Sequence, residues 1–122
     1  MPASLRVEFF PADLDAFVDF WTRVARFRLV RDEREAPAPY VAVQRDAIHI
    51  GAALAWDETD PTLRLPPQGL EVVIEVDNIR SERDAVVAAE WPLFEDLVTR
   101  PWGLTDFRVL DADGNFVRFT DR

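Results

Sequence analysis

The 122-residue chain carries 23 acidic and 14 basic side chains, a net charge of −9, so nucleic-acid phosphates are repelled over most of its surface and no nucleic-acid partner is expected. It has no cysteine, which excludes disulfides, zinc–thiolate sites and a cysteine nucleophile, and its basic residues are all Arg, which excludes Schiff-base chemistry on lysine. No run reaches the roughly 20 apolar residues of a membrane span, and Met1-Pro2-Ala3-Ser4 lacks the basic start and apolar core of a signal peptide; a single cytoplasmic domain over residues 1–122 is the expectation.

Leu5, Val7 and Phe9 alternate with Arg6, Glu8 and Phe10, the period-2 pattern of a half-buried strand, and Pro11 ends it. From Asp13, a helix-start residue, Leu14, Phe17, Phe20, Trp21 and Val24 fall at helical spacing and predict an amphipathic helix over residues 13–24, its aromatic stripe packed as core. Residues 27–32 read as a short strand, 33–39 as a charged, Pro-rich loop, 40–45 as a strand, Asp46 as a turn and 47–56 as a third strand. In that last strand Ile48, Ile50 and Leu54 share one face, and His49, Gly51 and Ala53 share the other. The second face is small, which predicts room above it for a ligand or a partner chain.

Residues 57–69 hold three prolines and end in Gly69, the composition of a linker. Beyond it Leu70, Val72, Ile74 and Val76 alternate with Glu71, Val73 and Glu75 as a strand with one apolar and one acidic face. Residues 79–89 predict a helix capped by Asn78 or by a Ser81-to-Asp84 box. A further strand begins near Leu93, followed by the Pro101-Trp102-Gly103 loop, where neither Pro nor Gly suits a central strand. Two Phe/Val-rich runs, 105–110 and 115–120, then flank Asp111-Ala112-Asp113-Gly114 and predict a β-hairpin.

The order is strand, helix, three strands, linker, strand, helix, three strands. Shifting the second half back by 65 positions sets Glu71 on Arg6, Val72 on Val7, Ile74 on Phe9, Asn78 on Asp13 and Ile79 on Leu14, an internal repeat of pattern with little identity. The fold class is α+β, with module one over about residues 4–56 and module two over about 70–122.

This double module, closed by an aromatic PWG loop and a D-x-D-G-N turn, resembles the glyoxalase/bleomycin resistance protein/dioxygenase (vicinal oxygen chelate) superfamily, and most of all its bleomycin-resistance branch. The resemblance implies two βαβββ modules forming a curved mixed sheet around a cleft, with helices on the outer face. Metal-using members take four ligands from the first and last strands of the modules; carried over, those places are Arg6, His49, Glu71 and Arg118. Arg cannot ligate a cation and repels it, so no metal and no cofactor are expected. Glu71 is expected to lie between Arg6 and Arg118 in an ion-pair network on the cleft floor.

Bleomycin-resistance proteins are homodimers that sequester a cationic aromatic antibiotic. The resemblance therefore implies a metal-independent small-molecule binder and a homodimer. Trp56, Trp91 and Trp102 stand at strand or helix ends where flat rings can stack, and the acidic excess attracts cations. The expected ligand contacts are Arg6, Glu8, His49, Glu71, Glu75, Trp102, Arg108 and Arg118; no catalytic residue is assigned. GxSxG, HExxH and Gly-rich phosphate loops are absent from the sequence. The alternative is a lyase, isomerase or dioxygenase of the same superfamily, metal-dependent or metal-free, with His49, Glu71 and Glu75 as its ligands or bases.

Overall fold

The computed structural model describes residues 2–55 and 70–122; Trp56 and the linker read at 57–69 lie outside the described residues. The chain divides into two compact units, residues 1–59 and 60–122. In the first, β1 (Val7–Phe9) is followed by α1 (Leu14–Asp19), a π-helical turn (Phe20–Val24), β2 (Arg28–Glu33), β3 (Tyr40–Arg45) and β4 (Ile48–Ala53). The second repeats the order with β5 (Val72–Glu75), α2 (Ile79–Ala88), β6 (Glu95–Thr99), β7 (Thr105–Leu110) and β8 (Phe116–Thr120). Each unit is a βαβββ module with its own four-stranded mixed sheet, ordered β1-β4-β3-β2 and β5-β8-β7-β6. In each, the first strand pairs parallel to the last and the other pairs are antiparallel.

Both helices start where a short polar side chain can satisfy an otherwise unpaired N–H. Asp13 Oδ1 accepts from the Ala16 N–H at 3.1 Å, and Asn78 Oδ1 accepts from the Ser81 N–H at 3.0 Å, so Asn78 rather than a Ser81 box is the cap. The predicted first helix is α-helical only as far as Asp19. The Ala25 N–H reaches back five residues to the Phe20 carbonyl at 2.9 Å, and the Thr22 hydroxyl donates to the Val18 carbonyl at 2.6 Å, a back-bond that competes with the regular ladder. Arg26, at φ 64, then ends the segment.

The apolar faces match the periodicity. Leu14, Phe17, Phe20, Trp21 and Val24 are all buried, as are Val41, Val43, Ile50 and Ala52 of the sheet. Trp21 is the centre of this core: it is 0% exposed, and the rings of Phe9, Phe17, Phe20 and Phe27 surround it with centroids between 5.0 and 6.1 Å away. In the second module Ile79 and Val86 of α2 are buried, as are Ile74, Phe107, Val109, Val117 and Phe119 of the sheet. Leu5, expected in the first strand, is 81% exposed and precedes it.

Two strands depart from simple alternation. Pairing of β2 with β3 shifts between Leu29 and Arg31, and pairing of β6 with β7 shifts between Glu95 and Val98. Such bulges change which face a side chain takes, and an alternation count cannot show them. No helix among the described residues is long and apolar enough to cross a membrane.

Truncating Trp21 to Ala should cost about 3 to 5 kcal/mol, because four aromatic neighbours cannot all close the gap. Denaturant unfolding measures this, and a loss below about 1 kcal/mol would mean that the indole is not the centre of the first core.

Candidate functional site

Each sheet turns one face to its helix and leaves the other polar, and the period of the strands decides which side chains share the polar face. In module one, Glu8 of β1 pairs with Gly51 of β4, and Gly51 pairs with Ala42 of β3. The small face predicted over Gly51 exists, but the chain fills it itself. A Cβ built on Gly51 would stand 2.1 Å from the Tyr40 hydroxyl and 2.5 Å from Glu8 Oε2. The Tyr40 hydroxyl donates to Glu8 Oε1 at 2.8 Å, and Arg6 Nε lies 2.7 Å from the same oxygen. Burial first, and then the hydrogen bond to Glu8, push the Tyr40 phenol above its ordinary pKa. The β2 bulge sets Arg31 opposite Ala42, and its guanidinium lies 5.2 Å from the centre of the Tyr40 ring. His49 is exposed on β4.

Module two carries the denser constellation. Glu71 Oε2 accepts from Arg108 Nε at 2.7 Å, and Arg108 Nη1 donates to Glu95 at 3.1 Å. Glu95 also accepts from Arg100 at 2.5 Å, and Arg100 in turn grips Asp106 through Nε and Nη2 at 2.8 to 3.2 Å. Arg118 closes the circuit, with Nε 3.3 Å from Glu71 and Nη1 3.7 Å from Asp106. Three carboxylates and three guanidiniums thus alternate around a ring, and their formal charges cancel.

The ring follows from the register. Asp106 and Arg108 are two apart on β7 and so share a face, while Phe107 and Val109 point into the core. Arg108 pairs with Arg118 across β7 and β8, two like charges that need carboxylates on both sides. Asp106 is 1% exposed. The Arg100 hydrogen bonds hold its carboxyl below the ordinary range against the opposing effect of burial, with Arg118 and Arg108 adding attraction.

The structure therefore brings Glu71, Arg108 and Arg118 together, and pairs Arg6 with Glu8. Within module two Glu71 lies against both Arg118 and Arg108, and within module one Arg6 lies against Glu8. Glu75 is exposed and stands outside the ring. Trp102 is 65% exposed at the tip of the β6–β7 connection, where Gly103 takes φ 97 and its N–H bonds the Arg100 carbonyl at 2.9 Å. Trp91 is committed to structure: its Nε1–H donates to the Leu110 carbonyl at 2.8 Å. Reasoning from sequence missed Arg100, Glu95 and Tyr40. Tyr40 shares the face of Ala42 by strand period, a signal that was present; Arg100 lies beyond the end of β6, where no period applies.

The register also bears on the metal question. Arg118 of β8 pairs with Val73 of β5, and its counterpart in module one, opposite Glu8, is Gly51 rather than His49. One of these two last-strand places is a guanidinium and the other has no side chain. No group of three or more His, Cys, Asp or Glu suited to a metal occurs among the described residues. The residues do not fit the metal of the metal-using relatives, and no chemistry is derived through one.

A family model described as Glyoxalase/Bleomycin resistance protein/Dioxygenase superfamily matches residues 4–119. No curated protein matches the chain. Among solved structures, UcmS2 superposes with a TM-score of 0.80 at 21% identity, covering 100% of both chains. TioX from Micromonospora sp. ML1 gives a TM-score of 0.74 at 21% identity over 98% of this chain and 96% of its own. TnmS3, an antibiotic binding protein from Streptomyces sp. CB03234, gives 0.73 at 17% identity over 99% and 96%. At these identities the likeness establishes the fold.

Asp106 supplies a pH test. Its folded pKa is depressed, so its contribution to stability is present above the ordinary carboxylate pKa, near 3.8, and is lost as pH falls through the lower folded value. Asp106→Asn should cost about 3 kcal/mol at pH 7, because Arg100 and Arg118 lose a shared counter-charge. Below pH 4 the gap between wild type and variant should narrow; melting curves from pH 2.5 to 7 with a constant gap would contradict the assignment.

Proposed function

The chain belongs to the glyoxalase/bleomycin resistance protein/dioxygenase superfamily, and on that premise we propose that it is a metal-independent small-molecule binding protein whose ligands are flat, cationic aromatic compounds, antibiotics among them. The observation that carries this reading is Trp102, an indole left 65% exposed on a turn that Gly103 shapes at positive φ. Exposing so large an apolar ring has a cost that stacking on a planar ligand would recover. The turn begins at Arg100, a member of the charge ring, so the ring braces the loop that carries the indole.

Charge supports the same ligand class. The net −9 draws cations toward the protein and opposes nucleic acid. Of the residues picked from sequence, Trp102 is the stacking wall, while Glu71, Arg108 and Arg118 form a polar floor in the same module. Arg6, Glu8, His49 and Glu75 are the outlying contacts. That TnmS3 is an antibiotic binding protein with the same fold adds to the case for a binding role. A cytoplasmic location and a symmetric homodimer complete the proposal; within each module the four-stranded sheet has an edge strand on either side, of the kind a second copy could cover.

Two measurements follow. Sedimentation at micromolar concentration should give twice the 14.0 kDa chain mass, and a monomer mass would remove the dimer from the proposal. Trp102→Ala should change stability by less than about 0.5 kcal/mol, as for other exposed sites. The same variant should weaken binding of a cationic acridine by roughly 1 to 3 kcal/mol, the range of aromatic stacking. A large loss of stability with unchanged affinity would make Trp102 a packing residue.

A further inference from the structure

In the charge ring the hydrogen bonds run without a break from Glu71 through Arg108, Glu95 and Arg100 to Asp106. Arg118 stands outside that chain. It approaches Glu71 and Asp106 closely enough for attraction, at 3.3 and 3.7 Å, but makes no hydrogen bond to either, and its Nε is buried without a hydrogen-bond partner among the described residues. Both carboxylates are already engaged: Glu71 by Arg108 Nε at 2.7 Å, and Asp106 by three contacts from Arg100. A guanidinium carries five N–H donors in a fixed plane, and leaving them unmatched in a partly buried place is unfavourable. Arg118 is thus held by charge rather than by hydrogen bonds, and a quarter of its side chain is open to solvent, so a ligand approaches the guanidinium beyond the buried Nε.

The geometry points to Arg118 as the group that recognises the ligand, by donating to an uncharged acceptor oxygen such as a carbonyl or amide oxygen on the flat molecule. Charge selects the neutral acceptor. Two carboxylates already lie within 4 Å of the guanidinium and balance its charge, so an anionic group would meet their repulsion beyond it and gain little net attraction. A carbonyl oxygen takes the free donors without adding charge to a balanced ring. This inference rests on the binding reading and deepens it: the indole of Trp102 selects flatness, and Arg118 selects an oxygen on the ligand.

A matched pair of probes separates the two claims: 9-aminoacridine, a flat cation without a carbonyl, and 9-aminoacridine-4-carboxamide, which adds one. Fluorescence titration should show the carboxamide binding roughly tenfold more tightly to the wild type, the worth of one hydrogen bond from a charged donor. Arg118→Lys keeps the charge between Glu71 and Asp106 but loses the planar fork, so it should remain folded and bring the two affinities together. In 15N–1H spectra the Arg118 guanidinium signals should move with the carboxamide and stay in place with 9-aminoacridine. Equal affinities for the two probes in the wild type, or a preference that survives Arg118→Lys, would overturn the role of Arg118 while the stacking reading stood. Binding of neither probe by a folded protein would overturn the stacking reading, and this inference with it.

Discussion

The polar face of module two depends on one buried carboxylate. Asp106 is 1% exposed, and an ionised group so placed persists only when opposite charge and hydrogen bonds replace the water it has lost. Arg100 supplies both, and in doing so it is held in one geometry. From that fixed guanidinium the pairing passes to Glu95, to Arg108 and to Glu71, and Arg118 completes the circuit by charge. Arg100 also accepts the Gly103 N–H at its carbonyl and donates its own N–H to the Leu104 carbonyl, so the turn that holds Trp102 and the ring below it share a residue.

The two modules have diverged on this face while keeping one backbone plan. Module one closes its polar face with a Tyr40–Glu8 hydrogen bond laid over Gly51, and Arg6 and Arg31 flank it. Module two lays alternating charge over its face, and its exposed indole stands on the β6–β7 connection. A βαβββ unit fixes where side chains can stand, and not what they are; the chemistry is set position by position.

Most of the fold was legible in the sequence because its causes are local. Asp13 and Asn78 cap their helices, Tyr40–Arg45 and Thr105–Leu110 alternate cleanly, and Gly114 takes φ 80 in the final turn. What escaped was the departure from regular period: the π-helical turn after Asp19, where Thr22 bonds the Val18 carbonyl, and the bulges in β2 and β6. The site was legible only in part, for the same reason. The resemblance to the superfamily set Glu71 and Arg118 on one floor, and the two do lie together. The pairing of Glu71 with Arg108, and the reach of Arg100 back to Asp106, depend on side-chain geometry that spacing does not encode.

In module two arginine–carboxylate pairs hold the polar sheet face together, and their guanidiniums disfavour a bound cation. Elemental analysis of protein purified from cells supplied with zinc, nickel, manganese and iron tests it most directly. Far less than one equivalent of any metal per chain is expected, with no change in melting temperature on treatment with a chelator. One equivalent of a divalent metal that a chelator removes with loss of stability would contradict it.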